Sequence, residues 1–333
     1  MLCLGCRDAD AVLVIPVAED EREDLAAQTV RSSGIRDAVL CLDGDAVVPW
    51  AERLGHVVRC EGFGIGKALD AGFKYALQLR PEWIVKSDAH VRFTEPARAM
   101  LRPELAGFVL LPPHRSFEWG ERLPLGRGLT LDLETWQWRW NMDAGKLLPC
   151  ITDPVYAVHS SLVREVLRWQ PWVFAVPYWG KEAFDFTLTL TRLGHPVLPV
   201  DRPVVEHWYK GGGFPEERVR RRCVEPWCSE PGAGESAYFY SMGIGDAIFA
   251  LRHYREPQRH RFWGRVERWV PVARRYFPDR ARYVGLRYPT EAVMGEVEVG
   301  NQGWAWWLAA AAAFAATLGL GYLAGRAARR ERL

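Results

Sequence analysis

Trp83-Ile84-Val85-Lys86-Ser87-Asp88-Ala89-His90 is the stretch on which the fold turns. Trp83–Ser87 reads as a strand, and the run then leaves the strand on an acid, a small residue and a histidine. Side chains two apart in an extended chain point to the same side, so Asp88 and His90 emerge together, as two ligands of one divalent ion would. Upstream, strands and helices alternate. Ala11–Val17 is a buried strand, followed by an acidic helix start at Glu19–Asp24 that runs to about Val30. Asp37–Leu42 is a second strand, stopped by Asp43-Gly44-Asp45; Trp50–Leu54 is helical and His56–Cys60 is a short third strand. Gly62, Gly64 and Gly66 open a helix from Lys67 to Leu79, closed by Pro81. This βαβαβ order predicts an α/β fold with a parallel sheet and crossover helices.

The three glycines fit neither common phosphate motif. A Walker A loop needs Gly at 61 and Ser or Thr at 68, where Glu61 and Ala68 stand; a dinucleotide fingerprint needs Gly at 67, where Lys67 stands. A glycine-rich turn before a helix N-terminus still suits an anion, so a diphosphate near Lys67 is expected. Downstream, Thr135-Trp136-Gln137-Trp138-Arg139-Trp140 alternates, which predicts three indoles on one strand face. Tyr178-Trp179-Gly180-Lys181-Glu182-Ala183-Phe184-Asp185 then places Glu182 and Asp185 in the first turn of a helix, where a carboxylate either complements the helix dipole or serves chemistry. Val204-Val205-Glu206-His207 ends another apolar run on a histidine.

Composition sets the outer bounds. The chain has 333 residues, 49% of them hydrophobic, which excludes bulk disorder and suggests two domains or one large domain with appendages. A net charge of +2 gives no global field for nucleic acid. Sixteen tryptophans suit a carbohydrate-handling or membrane-contacting surface. Seven cysteines cannot all pair within the chain; Cys3/Cys6 has C-x2-C spacing, but Cys223/Cys228 is C-x4-C and no nearby histidine completes a zinc site, so reduced, mostly buried thiols in a cytosolic domain are expected.

The C-terminal part differs. Residues 252–287 hold eleven arginines against three acids, interleaved with aromatic residues, which reads as a surface lying on anionic headgroups rather than a nucleic-acid patch. No charged residue occurs from Val299 to Gly325, and Trp304–Tyr322 would span about 28 Å as a helix with aromatic residues at both ends. The expected organisation is a catalytic domain at 1–216, a basic, aromatic-rich membrane-proximal segment at 217–298, one transmembrane helix at 299–325 and an Arg-rich tail at 326–333. The tail favours a cytoplasmic position by the positive-inside rule, whereas the larger basic block and the thiols favour a cytoplasmic catalytic domain; the latter is the expectation.

In combination and order, these motifs resemble the GT-A-fold glycosyltransferases of the broad family 2-like group, most of all the polypeptide N-acetylgalactosaminyltransferases. Ile15-Pro16-Val17-Ala18-Glu19 resembles the opening strand that borders the uridine site, and Leu42-Asp43 resembles the next strand end. Asp88-Ala89-His90 matches the D-x-H metal motif, and Trp179-Gly180-x-Glu182-x-x-Asp185 resembles the W-G-G-E-N-x-E element. His207 falls where the third metal ligand lies, and Lys210 to Pro215 where a mobile lid covers the donor. The resemblance covers residues 11–216. It departs in three ways: Glu182-Ala183 stands where many inverting relatives carry an E-D base, Lys181 replaces the second Gly of W-G-G-E, and no lectin domain follows.

The resemblance implies a metal-dependent transferase that moves a sugar from a nucleotide sugar, a UDP-sugar, to a lipid-linked or glycan acceptor at the membrane, with no nucleic-acid partner. Asp88, His90 and His207 would hold Mn²⁺ (or Mg²⁺), a cation suited to mixed imidazole and carboxylate ligation. Pro16, Glu19, Asp43, Lys67, Asp88, Trp179 and Lys210 would contact the donor, and Glu182 and Asp185 would serve the acceptor hydroxyl. The alternative is a catalytically silent GT-A-fold protein that binds glycan or lipid.

Overall fold

β1 (Ala11–Val17) is the centre of the structure, a computed structural model describing residues 10–284 except 43, 45, 119–120, 123–124, 134, 144, 209–224, 234–236 and 256–261. Its run of apolar residues is buried almost end to end, as a strand covered on both faces requires. One edge of β1 pairs in parallel with β2 (Asp37–Leu42), which pairs in parallel with β3 (His56–Arg59); the other edge pairs in parallel with β4 (Trp83–Ser87). The chain therefore builds outward from β1 to β3 and then returns to the opposite side of β1. Such a reversal opens a crevice between the C-terminal ends of the two central strands, the usual place for a ligand in an open α/β sheet.

Beyond β4, the sheet turns mixed. The strands are β5 (Val91–Phe93), β6 (Val109–Leu111), β7 (His114–Glu118), β8 (Glu121–Arg122), β9 (Leu129–Leu131), β10 (Trp138–Trp140), β11 (Val155–His159), β12 (Val197–Pro199) and β13 (Val205–Trp208). The main seven-stranded sheet has the order β12-β6-β11-β4-β1-β2-β3, with β11 antiparallel to both β4 and β6. A second, four-stranded sheet has the order β5-β13-β7-β8, and β9 pairs with β10 alone. The βαβαβ expectation matches the first half of the main sheet; the second sheet was not read from the sequence.

α1 (Glu23–Ser33) and α2 (Ile65–Gln78) are the crossovers. The glycines around α2 serve close packing. A Cβ at Gly66 would run into the Val176 carbonyl oxygen, and one at Gly72 into the Cys41 sulfur, so α2 lies against its neighbours more tightly than any side chain there permits. Phe73 of α2, Phe174 and Phe186 of α4 (Glu182–Arg192) form a buried aromatic cluster with centroids 4.9–5.9 Å apart.

After α3 (Ser160–Trp169) and α4, the long helix α5 (Ala237–His253) packs onto α4. It is buried along nearly its whole length, as a helix apolar on all sides must be. Arg252 at its end donates to Asp185 of α4 at 2.6 Å, with both side chains almost fully buried. Helices at Trp263–Val266 and Val270–Tyr276 continue the same hydrophobic cluster, with Phe262 and Val266 buried in it. The described residues belong to one packing unit, and residues on both sides of 216/217 share a hydrophobic cluster. The basic block is helical in part but is not purely a membrane-facing surface: Arg252 is buried, and Arg280 donates to the Phe174 and Ala175 carbonyls at 3.1 Å. Among the described residues no helix is long and apolar enough to cross a membrane; the span read at 299–325 and the tail at 326–333 lie outside them. Cys41, Cys60 and Cys150 are free and buried, whereas Cys228 is disulfide-bonded, which corrects the expectation of reduced thiols at that residue.

Candidate active site

A cleft of about 410 Å³ opens where the sheet reverses. Its floor carries Pro16, Val17 and Ala18 from the end of β1, and Lys86, Asp88, Ala89 and His90 from the end of β4. The turn bearing Asp88 and His90 is fixed from behind. Thr29 of α1, fully buried, donates to the Ala89 and Val91 carbonyls at 3.0 and 2.7 Å and accepts from the Val91 amide at 2.9 Å. β5 follows at once, and β13 pairs antiparallel to it with His207 opposite Val91. The Trp208 amide also donates to the His90 carbonyl at 3.1 Å. Strand register therefore delivers His207 beside His90 across more than a hundred residues of chain.

The result is a convergent triad. Asp88, His90 and His207 each offer one ligand atom, all within 4.8 Å of one another. The imidazoles of His90 and His207 stack with centroids 4.9 Å apart, and His207 Nε2 lies 3.4 Å from Asp88 Oδ2. Burial alone would raise the Asp88 carboxyl, but Lys86, His207 and His90 reverse this and hold it well below the usual carboxylate range, so it is ionised. Burial lowers His207 against the pull of Asp88, which favours the neutral imidazole that ligates metals. Lys86 occupies only one carboxylate oxygen, donating to Asp88 Oδ1 at 2.6 Å, and leaves Oδ2 turned toward the histidines. One ionised carboxylate and two imidazoles facing a common point fit a divalent transition-metal cation such as Mn²⁺.

The surrounding residues divide into those that reach the cleft and those that do not. Glu21, not Glu19, is the acid that faces the triad: its Oε2 lies 3.3 Å from His90 Nδ1, a partner that fixes the ring orientation. Glu19 is exposed and does not line the cleft. Lys67 pairs with Glu225 and lines a separate cavity with Arg59, Asp70 and Arg280, so it does not face the triad's cleft. Asp43 and Lys210 lie outside the described residues. Pro16 and Trp179 both line the cleft, and Trp179 stacks on Tyr238 of α5 at 6.0 Å.

Glu182 and Asp185, read as a pair, are separated by the fold. Glu182 lines the cleft while buried, and its Oε2 accepts the Gly180 amide at 2.8 Å. Burial raises its carboxyl to about 7. Asp185 does not line the cleft and instead meets Arg252 and His253. Burial alone would raise it, but Arg252 and His253 hold it at about 2. The structure thus places Asp185 in a buried ion-pair network outside the cleft that Glu182 lines. Lys181 also takes a packing role: its ammonium lies 3.2 Å from Asp246 of α5 and over the rings of Trp136, Trp138 and Phe184 at 5.4–5.6 Å.

The three-indole strand is shorter than its alternation suggests. Trp136 has φ of 58°, which turns it out of the strand and into the core, where it stacks on Phe262 at 4.0 Å. Trp138 and Trp140 remain on β10, half exposed, and both line the cleft.

Set against solved structures, the architecture aligns with a crystal structure of GalNAc-T7 with UDP, GalNAc and Mn²⁺ at a TM-score of 0.57 and 16% identity, over 84% of this chain. This chain has the GT-A fold. It covers 55% of the GalNAc-T7 chain, so it spans about half the length of that protein. The S. aureus TarS structure, residues 1–349 in complex with UDP, aligns at a TM-score of 0.42 and 13% identity, over 80% of this chain and 72% of that one. No protein-family model and no curated protein matches. Within the GT-A fold, the triad and Glu182 occupy one cleft.

Proposed function

We propose that this protein is a glycosyltransferase that moves a sugar from a UDP-sugar to an acceptor hydroxyl. The convergence of Asp88, His90 and His207 at the reversal point of a GT-A sheet carries the reading. These three residues would hold a divalent cation. A bound cation of this kind stabilises the charge that builds on a departing diphosphate. The chain's own residues do the rest. The end of β1, at Pro16, Val17 and Ala18, receives the nucleoside. Trp179 and Tyr238, stacked on each other, form part of the cleft wall. Glu182 takes the proton of the acceptor hydroxyl on its carboxylate, a role suited to a carboxyl held near 7.

The acceptor in this proposal is lipid-linked or a glycan presented at a membrane, supported by the apolar run at 304–322 and by exposed Arg265, Arg268, Arg274 and Arg275. The catalytic unit would lie on the cytoplasmic face. The Cys228 disulfide runs against a reducing compartment, and protease added outside sealed right-side-out vesicles decides between the two. The catalytic unit should survive; its digestion refutes the placement.

Donor hydrolysis tests the activity itself. Wild-type protein with Mn²⁺ should release sugar slowly from at least one UDP-sugar, and either EDTA or His207→Ala should abolish release. Turnover unaffected by both would remove the metal from the mechanism.

A further inference from the structure

Beside the triad lies a polar couple that the reading above leaves unused. His114 of β7 and Asp153 are each more than nine-tenths buried, and both line the cleft. His114 Nδ1 lies 2.8 Å from Asp153 Oδ1, an ion-pair contact short of hydrogen-bond alignment, and neither atom has a hydrogen-bond partner among the described residues. Asp153 is anchored through its other oxygen, which accepts the Leu129 amide at 3.2 Å. Its carbonyl accepts from Lys86 at 3.1 Å, the same ammonium that holds Asp88. With Nδ1 turned to Asp153, Nε2 is the nitrogen left for the cleft.

Register places this couple next to the metal ligands. β7 pairs in parallel with β13, with His114 opposite Val205. Directly paired residues share a face, as do residues two apart, so His114 and His207 are diagonal neighbours on one side of the second sheet. Trp140 completes the wall. Its ring lies 5.2 Å from the His114 imidazole and rests over Gly126, where a Cβ would come within 3.0 Å of the indole. Gly126 is in turn bonded to His114 through both backbone groups, at 2.8 and 2.9 Å. An aromatic face beside a fixed hydrogen-bond donor is the arrangement that a pyranose ring needs: C–H groups on the indole, a ring substituent on the imidazole.

We propose that Trp140, His114 and Asp153 form the subsite for the transferred sugar of the donor, with His114 Nε2 donating to an oxygen substituent of that sugar and Asp153 fixing the imidazole. The proposal rests on the glycosyltransferase reading and deepens it. The position next to His207 favours the donor sugar over the acceptor, because the sugar is joined to the diphosphate that the triad would serve.

Calorimetric titration of the Mn²⁺-loaded protein with UDP and with a panel of UDP-hexoses and UDP-N-acetylhexosamines tests it. In His114→Gln and Asp153→Asn, affinity for UDP should stay within about twofold, while affinity for the preferred UDP-sugar falls about tenfold relative to UDP, the scale of one lost polar contact. In saturation-transfer NMR the sugar protons should lose signal and the uridine protons keep it; Trp140→Ala should act in the same direction. An equal loss for UDP and UDP-sugar in both variants, or no loss for either, overturns the subsite. Wild-type protein that binds no UDP with Mn²⁺ overturns the glycosyltransferase reading instead.

Discussion

Glu182→Gln should separate stability from activity, because the structure makes the same carboxylate costly to bury and useful to ionise. Glu182 is 5% exposed, and burial moves its carboxyl from 4.5 to about 7. A folded-state pKa above the unfolded value means that the native protein holds this proton more tightly. The associated stability is complete below the unfolded pKa and is lost as pH rises through 7. The shift corresponds to about 3 kcal/mol, of which about 2 kcal/mol falls between about pH 5 and about pH 8. Gln keeps the shape and cannot ionise, so the variant should gain that amount on wild type across the interval. Urea unfolding at the two pH values, with EDTA present, measures the difference. Turnover should move oppositely: wild-type kcat should rise through an apparent pKa near 7, and Glu182→Gln should lower it by about 10²–10⁴-fold. A pH-dependent stability gain below about 1 kcal/mol would refute the buried, proton-holding environment described for this residue.

Two other substitutions test where the structure places Asp185 and Lys67. Asp185→Asn leaves the buried Arg252 guanidinium without its counter-charge and should cost about 3–5 kcal/mol of stability in urea, while the folded variant keeps far more turnover than Glu182→Gln; a loss below about 1 kcal/mol would show that Arg252 finds another anchor. Lys67→Ala should leave calorimetric affinity for UDP within about twofold, because the ammonium faces Glu225 in another cavity; a tenfold loss would return Lys67 to the diphosphate.

The limits of β4 and the convergence of Asp88 and His90 were legible because period-2 geometry is local: a buried strand ending on D-x-H fixes where both side chains point. His207 was legible only through resemblance. Its approach depends on β5, a three-residue strand whose Val-Arg-Phe carries no distinctive pattern. Glu21 was missed in favour of Glu19 because the segment between β1 and α1 is a turn, where neither strand nor helix period applies. Glu182 and Asp185 looked equivalent at a helix start, since nothing within α4 reveals that Arg252, far along the chain, supplies the counter-charge for one of them. Trp136 broke the alternation through a left-handed backbone angle that the indole pattern does not encode.

α5 has a mechanical consequence. At 17 residues it is about 25 Å long, and it is riveted twice to the start of α4: Asp246 to Lys181, and Arg252 to Asp185. Glu182 sits between those rivets, while Tyr238 and Ser241, at the other end of α5, form part of the cleft wall. The helix is therefore a strut that joins the wall to the frame of Glu182. A substrate that presses on Tyr238 loads the same member that fixes the Glu182 backbone, so wall and carboxylate keep their spacing as a single rigid part.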